Sequence, residues 1–130
     1  MLISVGLVVD DDTHERRVLA DTLRREGICV LEARSGREAL NVTYTATPHF
    51  VVMDIEMPDV DGLELCRRLR QLRATTRVPI VGVSGAASVL REDAAAAGCD
   101  VVLPKPCPPA LLLATIRRLV VRPSGWIGTQ

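Results

Sequence analysis

The chain has 130 residues, 48% of them hydrophobic and 25% charged, and its 16 basic and 16 acidic side chains cancel to a formal net charge of zero. That is the size and balance of one ordinary soluble domain, and it argues against a basic nucleic-acid binder, an acidic disordered tail and a polybasic membrane anchor. Lys105 is the single lysine among fifteen arginines, and the aromatics are Tyr44, Phe50 and Trp126 alone.

Val5 to Val9 is a short, β-branched apolar run, the pattern of a strand buried on both faces. Asp12 or Thr13 can cap the helix that follows, with Val18, Leu19, Thr22 and Leu23 on its inner face and Gly27 stopping it. Ile28 to Ala33 reads as a second strand, nearer an edge because it carries Glu32. Ser35 caps a second helix that runs to about Ala46. Phe50 to Met53 is a third buried strand, and it delivers Asp54. Pro58 to Gly62 has the composition of a turn. A third helix is expected over Leu63 to Arg73, with Leu65, Leu69 and Leu72 inside. Pro79 to Val83 forms a fourth strand ended by Ser84-Gly85. A fourth helix is expected over Val89 to Ala97, stopped by Gly98. Val101 to Leu103 is a fifth strand, broken at Pro104-Lys105-Pro106. The last helix begins near Pro108 or Pro109 and buries Leu112, Ile116 and Leu119.

Five β-α units in succession call for a parallel sheet with helices on both faces. At this length the expected α/β form is a five-stranded parallel sheet of order 2-1-3-4-5, doubly wound with five helices. Residues 1–121 make one domain, and 122–130 read as a tail or linker, with Trp126 either loose or packed back. No targeting signal or run of ~20 apolar residues is evident, which points to the cytoplasm. Cys29, Cys66, Cys99 and Cys107 form no C-x-x-C pair; they read as small buried hydrophobes in a reducing compartment. Arg67, Arg68, Arg70, Arg73 and Arg77 read as a solvated basic face around the third helix.

Ligands of such a sheet bind at the carboxyl ends of its strands. There the sequence places Asp10-Asp11-Asp12, Asp54, Ser84 and Lys105. Asp12 is accounted for as a helix cap. Asp10, Asp11 and Asp54 would repel one another by several kcal/mol unless a cation neutralised them, and an all-oxygen set suits Mg²⁺. Asp54 is the candidate nucleophile, since a carboxylate can accept a phosphoryl group as an acyl phosphate. Mg²⁺, Lys105 and the Ser84 hydroxyl could then share the phosphoryl oxygens. Seven acids, Asp10, Asp11, Asp12, Asp54, Glu56, Asp59 and Asp61, lie in two loops at this edge.

Leu7-Val8-Val9-Asp10-Asp11, the stretch Val52-Met53-Asp54-Ile55-Glu56-Met57-Pro58-Asp59-Val60-Asp61-Gly62, then Ser84, then Lys105-Pro106, resemble the receiver domain of two-component response regulators over about residues 3 to 121. The resemblance implies a phosphorylation switch, not an enzyme. Asp54 is then the phosphoacceptor, and Asp10, Asp11, Asp54 and the backbone carbonyl of Glu56 hold Mg²⁺. Ser84 and Lys105 contact the phosphoryl group, and Lys105-Pro106 is cis. Implied partners are a histidine kinase or histidine phosphotransfer protein and a downstream effector, with room for a phosphorylation-dependent homodimer and no direct nucleic-acid or membrane binding. The chain departs from the family at Val102, where an aromatic is usual, and at Cys107, where Phe is common. An aromatic rotamer switch cannot accompany Ser84. Two other readings stand beside this one. A non-phosphorylated docking module of the same fold would normally have lost an acid or the lysine. An Asp-nucleophile phosphohydrolase would need D-x-D-x-[TV] after the first strand, and His14 occupies the last position.

Overall fold

The computed structural model describes residues 4–85 and 90–121. Its elements alternate without exception: β1 (Val5–Val9), α1 (Thr13–Arg24), β2 (Cys29–Ala33), α2 (Gly36–Thr45), β3 (Phe50–Asp54), α3 (Gly62–Gln71), β4 (Ile80–Ser84), α4 (Leu90–Ala97), β5 (Val101–Pro104) and α5 (Pro109–Val121). The strands form one parallel sheet in the order β2-β1-β3-β4-β5. The expected order is therefore the observed one, with Glu32 on the edge strand β2.

Strand residues point alternately to the two faces, and each face has its own core. Leu7, Val9, Val51 and Met53 pack with Ala39 of α2, Leu65 and Leu69 of α3 and Ala94 of α4. Val8, Val52, Val81 and Val83 pack on the other side with Leu23 of α1 and Leu112 and Ile116 of α5. Each such aliphatic side chain contributes roughly 1.5–3 kcal/mol when fully buried. With Val8, Val9, Val51 and Val52 removed from solvent altogether, β1 and β3 are firmly held, and their ends carry Asp10 and Asp54.

The caps follow the sequence. Asp12, Ser35 and Asp61 each accept the backbone N–H three residues on, from Glu15, Glu38 and Glu64, which satisfies donors a helix start leaves open. Gly27 and Gly98 leave α1 and α4 at φ of 82° and 112°, a backbone region that side-chain-bearing residues avoid.

Several expectations are corrected. Of the expected inner face of α1, Leu19, Thr22 and Leu23 are in place, whereas Val18 is 47% exposed. Arg16 and Ala20 complete that face with Leu19 and Leu23 at helical spacing, and Arg16 buries its guanidinium under the sheet end. Cys29 is exposed, since the edge strand leaves one side uncovered; Cys66 and Cys99 are buried and Cys107 is half-buried. The third helix ends at Gln71, because Leu72 turns extended and the Thr75 hydroxyl takes the Leu69 carbonyl. Arg70 does not belong to a solvated face. Its guanidinium donates to the carbonyls of Val78 (2.6 Å) and Gly98 (2.8 and 3.0 Å) and to Asp100 (3.0 Å), tying α3 to the turns flanking β4 and β5. The expected helix start at Val89 and the tail at 122–130 lie outside the described residues.

Candidate functional site

Parallel pairing sets the register of the strand ends. Val9 lies opposite Met53, Asp54 opposite Val83 and Ser84 opposite Pro104. Asp10, Asp54, Ser84 and Lys105 therefore leave four neighbouring strands at one edge of the sheet. Asp10 is 1% exposed and Asp54 5% exposed, whereas Asp11 is open to solvent. One carboxylate oxygen from each of the three lies within 4.8 Å of the others.

Two buried acids this close resist full ionisation. Burial, reinforced by the charge of Asp54, pushes the Asp10 carboxyl up to about 6, although the Asp12 N–H (2.9 Å) favours its ionised form. Burial also raises Asp54, against the pull of Lys105 and of the Glu56 N–H at 3.1 Å. The cluster holds more negative charge than its surroundings neutralise, and its donors are all oxygen. That is the chemistry of a hard divalent cation site.

Lys105 supplies the one ammonium. Its Nζ stands 3.1 Å from Asp54 Oδ1 and 3.0 Å from Glu15 Oε1. Burial works against that charge, but the two carboxylates outweigh it and keep the amine protonated. The Lys105-Pro106 peptide is cis, as the resemblance implied, and Lys105 N–H donates to the Ser84 carbonyl at 3.0 Å. The Ser84 hydroxyl is held at 2.5 Å by Glu56 Oε2, and the other oxygen of that carboxylate accepts the Gly85 N–H at 3.2 Å.

The loop after β3 is built around a close approach. Gly62 N–H donates to the Ile55 carbonyl at 2.9 Å, and a Cβ on Gly62 would sit 2.6 Å from the Asp54 carbonyl oxygen. Buried Ile55 and Met57 anchor the same turn. The seven acids of this edge thus divide by task. Asp12 and Asp61 cap helices. Asp59, with little burial to oppose it, is held below its ordinary value by backbone N–H groups that include those of Gly36 and Arg37 at the start of α2. Glu56 holds Ser84. Asp10, Asp11 and Asp54 form the cluster.

Two contributors were missed by sequence reasoning. Glu15, the second partner of Lys105, has the spacing of a capping-box acid behind Asp12, which conceals any other role. Arg16 is buried, donating to the Asp10 carbonyl at 3.0 Å and to Glu32 at 2.9 Å. It props the backbone of the acid pair from below. The only hint in the sequence was a charged edge strand, and charge there usually means solvent.

Comparison with known proteins gives a consistent picture. The model of the response regulator receiver domain matches residues 7–117. Response regulator MprA of Mycolicibacterium vanbaalenii is 42% identical over 117 residues, which is 89% of this chain and 50% of MprA. Transcriptional regulatory protein ResD of Bacillus subtilis is 33% identical over 91% of this chain and 48% of its own length. The chain spans about half the length of the curated relatives it matches. Among solved structures, chemotaxis protein CheY4 of Vibrio cholerae superposes with a TM-score of 0.87 at 28% identity, covering 91% of this chain and 99% of CheY4. The receiver domain of sensor histidine kinase PA1611 from Pseudomonas aeruginosa, which holds a magnesium ion in its active site cleft, does so at 0.85 and 26%, covering 93% and 100%. With the family model matched over most of its length, this chain belongs to the receiver domains of two-component response regulators.

Proposed function

We propose that the chain is a phosphorylation-activated switch in which Asp54 accepts a phosphoryl group in a Mg²⁺-dependent reaction and Ser84 and Lys105 convert that event into a conformational change. The observation that carries the reading is the convergence of Asp10, Asp11 and Asp54 within 4.8 Å, with the Lys105 ammonium 3.1 Å from Asp54. Asp10, Asp11, Asp54 and the Glu56 carbonyl would hold the cation, as the oxygen-only donor set favours. Bound there, Mg²⁺ would neutralise charge on the phosphoryl oxygens.

The donor is a phosphohistidine of a histidine kinase or phosphotransfer protein. An Asp54 carboxylate oxygen forms the new O–P bond as the N–P bond breaks, and the bonding pair leaves with the imidazole. Most of the catalysis is positioning and charge stabilisation. Asp54 is fixed by β3 and by the Glu56 N–H bond to its Oδ1, and the Lys105 ammonium stands 3.1 Å from that same oxygen, where it can offset the charge of the phosphoryl group. The product is a modified protein, one phosphoryl per chain, so the role is regulatory and Asp54 is a stoichiometric acceptor.

Ser84 must leave Glu56 to reach the phosphoryl group. A hydrogen bond to a charged partner is worth about 1.5–3 kcal/mol, so Glu56 sets a threshold that the new anion has to exceed. Val102 is half-buried against the α3–α4 core, and this strand therefore transmits the change through backbone and aliphatic packing. We read 1–121 as the receiver and 122–130 as a tail or linker. An effector partner and a phosphorylation-dependent homodimer complete the proposal. A cytoplasmic setting accords with phosphohistidine donors; among the described residues no helix is long and apolar enough to cross a membrane.

The test is incubation with acetyl phosphate. The chain should gain one phosphoryl group with Mg²⁺ and almost none with a chelator, and Asp54→Asn should gain none. Equal labelling of Asp54→Asn would overturn the proposal.

A further inference from the structure

At the end of the sheet opposite the acidic cluster, one side chain gathers four pieces of backbone. Arg70 lies in the last turn of α3. Its Nη1 donates to the carbonyls of Thr75, Thr76 and Val78 at 3.3, 3.3 and 2.6 Å. Its Nε and Nη2 both donate to the Gly98 carbonyl, at 3.0 and 2.8 Å, and Nη2 also donates to Asp100 Oδ2 at 3.0 Å. That same Asp100 oxygen accepts the Ile80 N–H at 2.7 Å. The guanidinium thus joins the α3–β4 loop, the turn after α4, the residue before β5 and, through Asp100, the first residue of β4. Hydrogen bonds from a charged donor are roughly twice as strong as neutral ones, and a cation suits the carbonyl-rich end of a helix. Gly98 is matched to this arrangement: a Cβ there would sit 2.7 Å from Arg70 Cγ and 3.1 Å from its Nε. The stem of Arg70 fills the space that a side chain would need.

The position of this clamp bears on the switch. β4 begins at Ile80 and ends at Ser84, roughly 13 Å apart at the rise of a strand. A pull on Ser84 acts at the acidic edge, whereas α4, which follows it in the chain, ends at the clamp. Packing alone holds α4 loosely. Among the described residues, the buried side chains it sets beside Leu65, Cys66 and Leu69 of α3 are the small Ala94 and Ala97, which interlock little with their neighbours.

We infer that Arg70 is a positioning residue for the output: it clamps the far end of α4, so that phosphorylation of Asp54 tilts α4 about Gly98 and does not slide it along α3. The inference rests on the phosphorylation reading above. α4 has eight residues, about 12 Å of helix, so a shift of about 1–2 Å at its site-side end is a tilt of about 5–10°. The tilt displaces the exposed Glu92 and Asp93 of its first turn and leaves Asp100 in place.

The experiment is hydrogen–deuterium exchange of the whole chain, read by mass spectrometry of overlapping peptides, with and without beryllium fluoride and Mg²⁺ as the phosphoryl mimic. Labelling of Asp54 by acetyl phosphate is measured alongside. In the unaltered chain the mimic should change exchange at the end of β4 and in the first turn of α4, and leave 78–80 and 98–101 as they were. Arg70→Gln should raise exchange at 78–80 and 98–101 about tenfold without the mimic, let the effect of the mimic spread into 98–101, and keep the ordinary rate of Asp54 labelling. A merely structural role would raise exchange without moving the boundary of the mimic's effect. Asp100→Asn keeps an acceptor for Ile80 and loses only the charge paired with Arg70, so it should show the same spread to a smaller extent even where Arg70→Gln does not fold. A mimic-induced change at 98–101 in the unaltered chain, or the same boundary in the variants, would overturn the inference while Asp54 is still labelled. Absence of Asp54 labelling in the unaltered chain would overturn it together with the reading beneath it.

Discussion

Glu15→Gln is expected to speed phosphorylation of Asp54. Glu15 and Asp54 share one ammonium at 3.0 and 3.1 Å, so the bonded oxygens are at most about 6 Å apart, a separation at which two unit charges interact by about 0.7 kcal/mol in water and about 3 kcal/mol at an effective dielectric of 20. The Glu15 side chain is 49% exposed, which places the interaction toward the aqueous limit, at about 1 kcal/mol. Removing that charge lowers the repulsion met by an incoming phosphodonor anion and leaves Lys105 to Asp54 alone. A gain of about 1 kcal/mol in the transition state is about fivefold in rate. The assay is the rate of labelling by acetyl phosphate at fixed Mg²⁺, followed by intact-protein mass. The gain should shrink as salt is added, because the interaction is part-exposed and screened. A rate equal to or below that of the unaltered chain would refute the reasoning, and would mean that Glu15 positions Lys105 for the reaction instead of competing for it.

Other perturbations separate the parts of the account. Arg16→Met should lower stability by about 2–4 kcal/mol in urea denaturation, because it removes two bonds from a buried guanidinium and strips Glu32 of a partner; a change below half of that would show the prop to be dispensable. Arg16 and Arg24 hold the Glu32 carboxyl below its ordinary 4.5 in spite of burial. The stability this gives is present above 4.5 and is lost as pH falls through the lower folded value, so Arg16→Met should flatten the acid limb of a pH–stability curve. Gly62→Ala puts a Cβ 2.6 Å from the Asp54 carbonyl oxygen and the Ile55 Cα, both backbone, and should cost about 1–3 kcal/mol while slowing labelling of Asp54; an unchanged midpoint would show that the loop gives way. Lys105→Arg should keep the fold and Mg²⁺ binding but slow phosphorylation and blunt the conformational response, because a planar fork does not replace a compact ammonium between two carboxylates. Normal behaviour of that variant would show that the lone lysine is coincidence.

The fold was legible because its signals are local and repeated. Four- and five-residue apolar runs such as Phe50-Val51-Val52-Met53, separated by capped helices, admit few arrangements other than a parallel doubly wound sheet. The cluster was legible for the same reason: Asp10, Asp54, Ser84 and Lys105 are each the residue at or just past a strand end, and strand ends of such a sheet converge. Long-range polar pairings were not legible. Arg16 with Glu32, Arg70 with Asp100 and Lys105 with Glu15 join residues 16, 30 and 90 positions apart, and nothing in composition or periodicity separates a buried arginine from a solvated one. The same holds for Glu56, whose side chain engages Ser84 across two strands, while the sequence reading assigned it only a backbone carbonyl.

The central claim is that Asp54 is the one acceptor of a phosphoryl group. Labelling the chain with acetyl phosphate and Mg²⁺, reducing the acyl phosphate with borohydride and locating the reduced residue by peptide mass spectrometry tests it directly. The account predicts modification at position 54 alone, abolished by chelation. Reduction at Asp10, Asp11 or Glu56, or at position 54 without dependence on the metal, would contradict it.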